Sequence, residues 1–123
     1  MNKVNPLPAA LIIMAAFALS AYLISYKPTR SATIIGMQYE GHYTYSGEVL
    51  DQRDLVCATK KGKYSIGAWL RVRTVEADPM RTVYVRNIDR LPDTANSDID
   101  LSVRAAELLS TRTRFSVTIE LAE

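Results

Sequence analysis

From Leu7 to Tyr26 (LPAALIIMAAFALSAYLISY) the chain runs 20 residues without a charge, and this stretch constrains the other parts of its 123 residues. As a helix rising about 1.5 Å per residue it would measure about 30 Å, the thickness of a bilayer core. A helix apolar on every side needs an apolar surrounding, and the roughly 90 residues left over are too few to bury it. Residues 1–30 therefore read as a membrane-directed segment with its linker, and residues 31–123 as one small domain. Two export readings stay open. In a signal peptide, Ala18-Leu19-Ser20 would offer a small-x-small cleavage site before Ala21. In an uncleaved anchor, the run continues through Tyr22, Leu23 and Ile24 and spans the membrane once through residues 7–26. Lys3 precedes the run and Lys27 and Arg30 follow it, so charge alone does not orient it. In both readings the domain is expected outside the cytoplasm, in the periplasm for a membrane-anchored chain or secreted if the leader is cut.

Charge then narrows the domain's partners. Lys3, Lys27 and Arg30 account for three of the 15 basic residues, which leaves 12 in residues 31–123 against 13 acidic groups. The domain lacks the positive excess of a nucleic-acid binder, so no nucleic-acid partner is expected. One cysteine, Cys57, excludes an intramolecular disulfide and a multi-cysteine zinc site, and it reads as a small buried apolar residue. One histidine, His42, excludes a His–His metal motif. There is no G-x-G-x-x-G, P-loop or long repeat. No metal and no cofactor is expected.

Past the linker the pattern has period two. Ala32–Gly36 is a short apolar strand, with turns at Gly41 and Gly47. Trp69–Val75 and Thr82–Asn87 alternate around a turn at 77–80 and predict a hairpin, and Arg114–Leu121 is the last strand. Ser102 caps a helix with Val103, Ala106 and Leu109 on one side. Short strands with so little helix suggest a small closed barrel, which leaves no exposed edges.

The order of several motifs resembles the rare lipoprotein A-like family, relatives of expansins and barwin. Ala32–Gly41 (ATIIGMQYEG) is similar to its opening A-S-W-Y-G-x-x-F-x-G, and Thr44–Asp51 (TYSGEVLD) to T-A-S-G-E-x-F-D. Val56-Cys57-Ala58 falls at its T-A-A and Ile66-Gly67 at its F-G. Val85–Pro92 (VRNIDRLP) resembles V-R-V-N-D-R-G-P, and Asp98–Ser102 (DIDLS) before an Ala-containing helix resembles I-D-L-S-x-x-A-A. The resemblance covers about residues 31–121. It implies an all-β fold: a small six-stranded double-psi β-barrel with one or two short helices, preceded by the transmembrane or signal helix.

Active members of that family are lytic transglycosylases that cut peptidoglycan glycan strands. Carried over residue by residue, the resemblance gives Asp89 as acid/base and Glu48 as the assisting catalytic carboxylate. The family histidine falls on Thr59, the opening aromatic pair is Ile34-Ile35, and the glycine of D-R-G-P is Leu91. Cleavage needs an acid to protonate the leaving oxygen, after which the sugar's own hydroxyl attacks, so one carboxyl can serve as acid and then base. Glu48 or Asp100 beside Asp89 would favour its protonated form, and pairing with Arg90 would oppose it. Asp100, Thr59, Arg90 and Tyr45 complete the expected glycan-binding set. The bland alternatives are a loop-fixing role for Asp89, a helix-capping role for Asp100 and a solvated loop for Lys60–Lys63, whose other reading is contact with an anionic wall or lipid headgroups. Three functional readings follow: a transglycosylase, a non-catalytic expansin-like glycan-binding module, and a structural component of an envelope or virion membrane assembly with partners unknown.

Overall fold

The computed structural model describes residues 27–76 and 79–122. The predicted leader helix at 7–26 and the turn residues Ala77 and Asp78 lie outside them. Six strands follow in order: β1 (Arg30–Ile34), β2 (Val56–Lys60), β3 (Trp69–Thr74), β4 (Thr82–Leu91), β5 (Ile99–Leu101) and β6 (Arg114–Leu121). They close into a barrel in the spatial order β1-β5-β2-β4-β3-β6. The pairs β1·β5 and β2·β4 are parallel and join strands distant in sequence, while the other four are antiparallel. This is the expected six-stranded double-psi barrel, with one α-helix, α1 (Val103–Leu109), and a 3-10 turn at Met37–Tyr39.

Alternation packs the barrel. In β3 and β4, Leu70, Val72, Val83 and Val85 turn inward and meet Ala32, Ile99, Leu101, Phe115 and Val117 in one core. Helix α1 adds Ala105, Ala106 and Leu109 to it. Ser102 caps that helix as predicted. Its hydroxyl accepts the Ala105 N–H at 3.3 Å and donates to the Asp54 carbonyl at 2.6 Å, tying the helix start to the loop before β2. The polar interior is also satisfied: buried Asn87 donates to the carbonyls of Tyr64 and Ser65 at 3.2 and 3.1 Å.

A second, smaller cluster sits outside the barrel wall. Ile35, Leu50, Val56 and Ile88 pack together and clamp the long β1–β2 connection over β2 and β4. Within that connection Tyr43 bridges Val49, and the turn between them needs Gly47 at φ 87°, a conformation that side chains with a Cβ rarely adopt.

Among the described residues, no helix is long and apolar enough to cross a membrane.

Candidate functional site

One irregularity positions the site. In β4, Val83, Val85 and Asn87 face inward, and strict alternation would turn Asp89 inward as well. Instead the β2·β4 register slips between Cys57 and Ala58: Cys57 pairs with Asn87, but Ala58 pairs with Asp89. Ile88 is the extra residue of a β-bulge, and the bulge returns Asp89 to the outer face. On the other side of β2, Ala58 pairs with Asp100 of β5. The small Ala58 is therefore flanked by two carboxylates two strands apart, about 9–10 Å between Cα atoms at ordinary strand spacing.

These three residues line a cleft of about 290 Å³ together with Arg90 and the largely apolar set Ile35, Tyr39, Leu50, Leu91, Pro92 and Ala95. Asp89 accepts two backbone N–H bonds on Oδ1, from Tyr45 at 3.0 Å and Arg90 at 2.9 Å. It thereby fixes the tip of the β1–β2 connection while Oδ2 keeps no protein partner among the described residues. Asp100 does not cap α1, which Ser102 does. Its Oδ1 accepts from the Thr33 hydroxyl and, at 2.7 Å, from the Ser97 hydroxyl. Among the described residues neither aspartate is ion-paired.

Of the other expected site residues, Arg90 shares the cleft and the rest do not line it. Glu48 does not line the cleft. Both its oxygens receive Arg86 Nη1, at 2.7 and 2.6 Å, and the Ser46 hydroxyl donates at 3.2 Å. That bond from Arg86 holds the Glu48 carboxyl below its ordinary range, against a smaller opposing effect of burial. Thr59 is fully buried. Its hydroxyl accepts from Arg90 Nη1 at 3.4 Å, and the same nitrogen donates to the Tyr64 carbonyl at 2.7 Å. Arg90 thus lines the cleft as expected and offers Asp89 its backbone N–H, while its guanidinium is bound to Thr59 and Tyr64 and lies 5.8 Å from the Tyr45 ring. Tyr45 is exposed and not among the residues that line the cleft, and exposed His42 meets the edge of Tyr39. Buried Cys57 has its thiol pushed up by desolvation, the environment of an inert structural cysteine.

Three residues that sequence reasoning did not single out complete the arrangement: Ala58 between the aspartates, Thr33 on Asp100, and Arg86 on Glu48. Arg86 sits at an outward position of an alternating strand, which was visible. Its partner, 38 positions away in sequence, was not.

The fold and cleft define a double-psi barrel with a two-aspartate groove on its outer wall. Among solved structures, the chain is similar to Streptomyces papain inhibitor, with a TM-score of 0.61 and 20% identity, over 80% of this chain and 96% of that one. At that identity the likeness speaks for the fold. No protein-family model and no curated protein matches the chain.

Proposed function

We propose that the barrel is a cell-wall glycan-binding module that seats a peptidoglycan glycan strand in the Asp89–Asp100 cleft. In this reading the chain is held at a membrane by residues 7–26, with the domain outside the cytoplasm. The observation that carries it is the pair of aspartates flanking Ala58, neither of them ion-paired among the described residues. Sugar hydroxyls are donors, and carboxylates that still have acceptor capacity bind them through charge-assisted hydrogen bonds. The apolar side chains of Ile35, Leu50, Leu91 and Pro92, with the Tyr39 ring, supply the surface a pyranose C–H face needs.

A second reading, glycan cleavage as a lytic transglycosylase, is favoured by the open Oδ2 of Asp89. A proton on that oxygen would pass to the glycosidic oxygen as the C–O bond breaks. The sugar's own hydroxyl would then attack the anomeric carbon and return a proton to Asp89. Glu48, ionised on Arg86, does not act as the acid in this scheme. Asp100 is the carboxylate that shares the cleft with Asp89.

The test uses the full chain in detergent on purified peptidoglycan, intact and stripped of peptides, beside Asp89→Asn and Asp100→Asn. Asparagine keeps an acceptor oxygen for the N–H and hydroxyl partners, so both variants should fold. Each is expected to weaken retention on glycan by roughly tenfold, the effect of losing a charge-assisted bond. Retention without new anhydro-sugar ends by mass spectrometry supports the binding module. Anhydro ends that vanish with Asp89→Asn establish the transglycosylase. Neither retention nor product sinks both and leaves the membrane-assembly reading.

A further inference from the structure

Strand directions sort the loops of this barrel between its two ends. β1, β3 and β5 run one way, and β2, β4 and β6 the other. The chain entry at residues 27–29, the β2–β3 loop, the β4–β5 loop and residue 122 therefore share one end. The β1–β2, β3–β4 and β5–β6 connections emerge at the opposite end. Residues 27–123 contain four lysines, Lys27, Lys60, Lys61 and Lys63, and all four fall at the entry end. Every other basic side chain of the domain is an arginine.

The entry end has its own composition. Lys27 reaches Glu120 on β6, which also receives Arg71, so that carboxylate is satisfied. Asp98 of the same end accepts the Ser31 N–H at 2.8 Å, and Asp93 is its remaining carboxylate among the described residues. Lys60, Lys61 and Lys63 have no carboxylate within ion-pair distance among the described residues. At the same end of the barrel Trp69, the first residue of β3, is 48% exposed, and Leu121, the last of β6, is 61% exposed. Flexible ammonium groups at one barrel end together with an exposed indole and a leucine suit a headgroup layer, where the charge meets phosphate and the ring meets the acyl boundary.

We infer that the entry end of the barrel, with Lys60, Lys61, Lys63, Trp69 and Leu121, seats on an anionic lipid surface. The apolar run at 7–26 ends one residue before Lys27, and that continuity fixes which surface lies closest to this end. The inference rests on the membrane-anchored reading above. It adds an orientation: the barrel sits end-on at the bilayer, and the Asp89–Asp100 cleft opens on its side wall.

Trp69 is the chain's single tryptophan, so its fluorescence reports on this face alone. The full chain is reconstituted into phosphatidylcholine vesicles with and without phosphatidylglycerol, carrying a headgroup nitroxide quencher, and flotation is scored separately. Trp69 quenching is expected to rise roughly twofold with phosphatidylglycerol and to lose that increment at high salt. Lys61→Glu with Lys63→Glu, at two exposed loop positions, should abolish the increment without moving the melting temperature. Arg112→Glu at the opposite end should keep it. A chain that floats but shows equal quenching in both lipids, or an increment that survives the lysine substitutions, overturns the seated end while the anchor stands. A chain that does not float at all brings down the anchor and the seating together.

Discussion

Two stretches of the outer barrel wall handle their carboxylates in opposite ways. On the β4·β3·β6 side, Glu48 lies on Arg86, and Glu120 is shared by Arg71 and Lys27. Their neighbours Trp69, Arg71 and Arg73 alternate along β3, opposite Arg86, Tyr84 and Thr82 of β4. On the β1·β5·β2·β4 side, Asp89 and Asp100 are held by backbone N–H and hydroxyl donors instead. A ligand is therefore expected on the second side. An ion-paired carboxylate has its charge already answered, and a hydroxyl-rich ligand gains little by displacing an arginine. A carboxylate fixed by neutral donors keeps both its charge and its remaining lone pairs for whatever enters the cleft.

The largest effect tests whether the two walls are one structure. Leu70 of β3 is fully buried in the core that also holds Ala32, Ile99 and Leu101 from the cleft side. Leu70→Ala should lower unfolding free energy by about 2–5 kcal/mol, the range for such cavities. If the walls share that core, urea unfolding followed by Trp69 fluorescence and by far-ultraviolet dichroism will move together. Separate transitions would make the walls independent and undo the comparison. A smaller effect belongs to the cleft side alone. Ser102→Ala, just after β5, removes both the α1 cap and the tie to the Asp54 carbonyl before β2, and should cost about 1–2 kcal/mol. The ion pairs on the other wall should be left intact, which the pH dependence of unfolding in this variant would show.

Legibility in the sequence follows the same division. The hairpin, the last strand and the capped helix carry local signals, and the structure places β6 at Arg114–Leu121 and α1 at Val103–Leu109 as read. β3 ends at Thr74, one residue before the alternation stops. β4 runs four residues past Asn87, because the bulge at Ile88 breaks the period and hides the continuation. β2 is buried at four successive positions and shows no alternation, so the motif order of the resemblance marked it where periodicity did not. Asp89 and Asp100 were both named from motifs. Their placement around Ala58 depends on a register across three strands that are not consecutive in sequence, and no local pattern encodes it. Glu48 shows the converse: its motif suggested a role in the cleft, and a long-range partner, Arg86, holds it elsewhere.

The smallest effect probes that partner by pH. Arg86 holds the folded-state Glu48 carboxyl below its ordinary value of 4.5. Between the two values the unfolded chain binds the proton more readily than the folded one, so stability rises with pH there. The contribution is fully present above the unfolded value and is lost as pH falls through the folded one. Glu48→Gln should therefore lower the urea midpoint slightly at about pH 7 and converge with the native chain as the pH falls through the folded-state value. Glu120, held low first by Lys27 and then by Arg71, contributes with the same sign, so Glu120→Gln beside Glu48→Gln should flatten the acid limb further. Because both pairs are substantially exposed, salt should shrink the effect of each substitution. An acid limb unchanged by either substitution would mean that the carboxylates of this wall are not answered by their arginines in solution, and the contrast with the cleft would fail at its charged side.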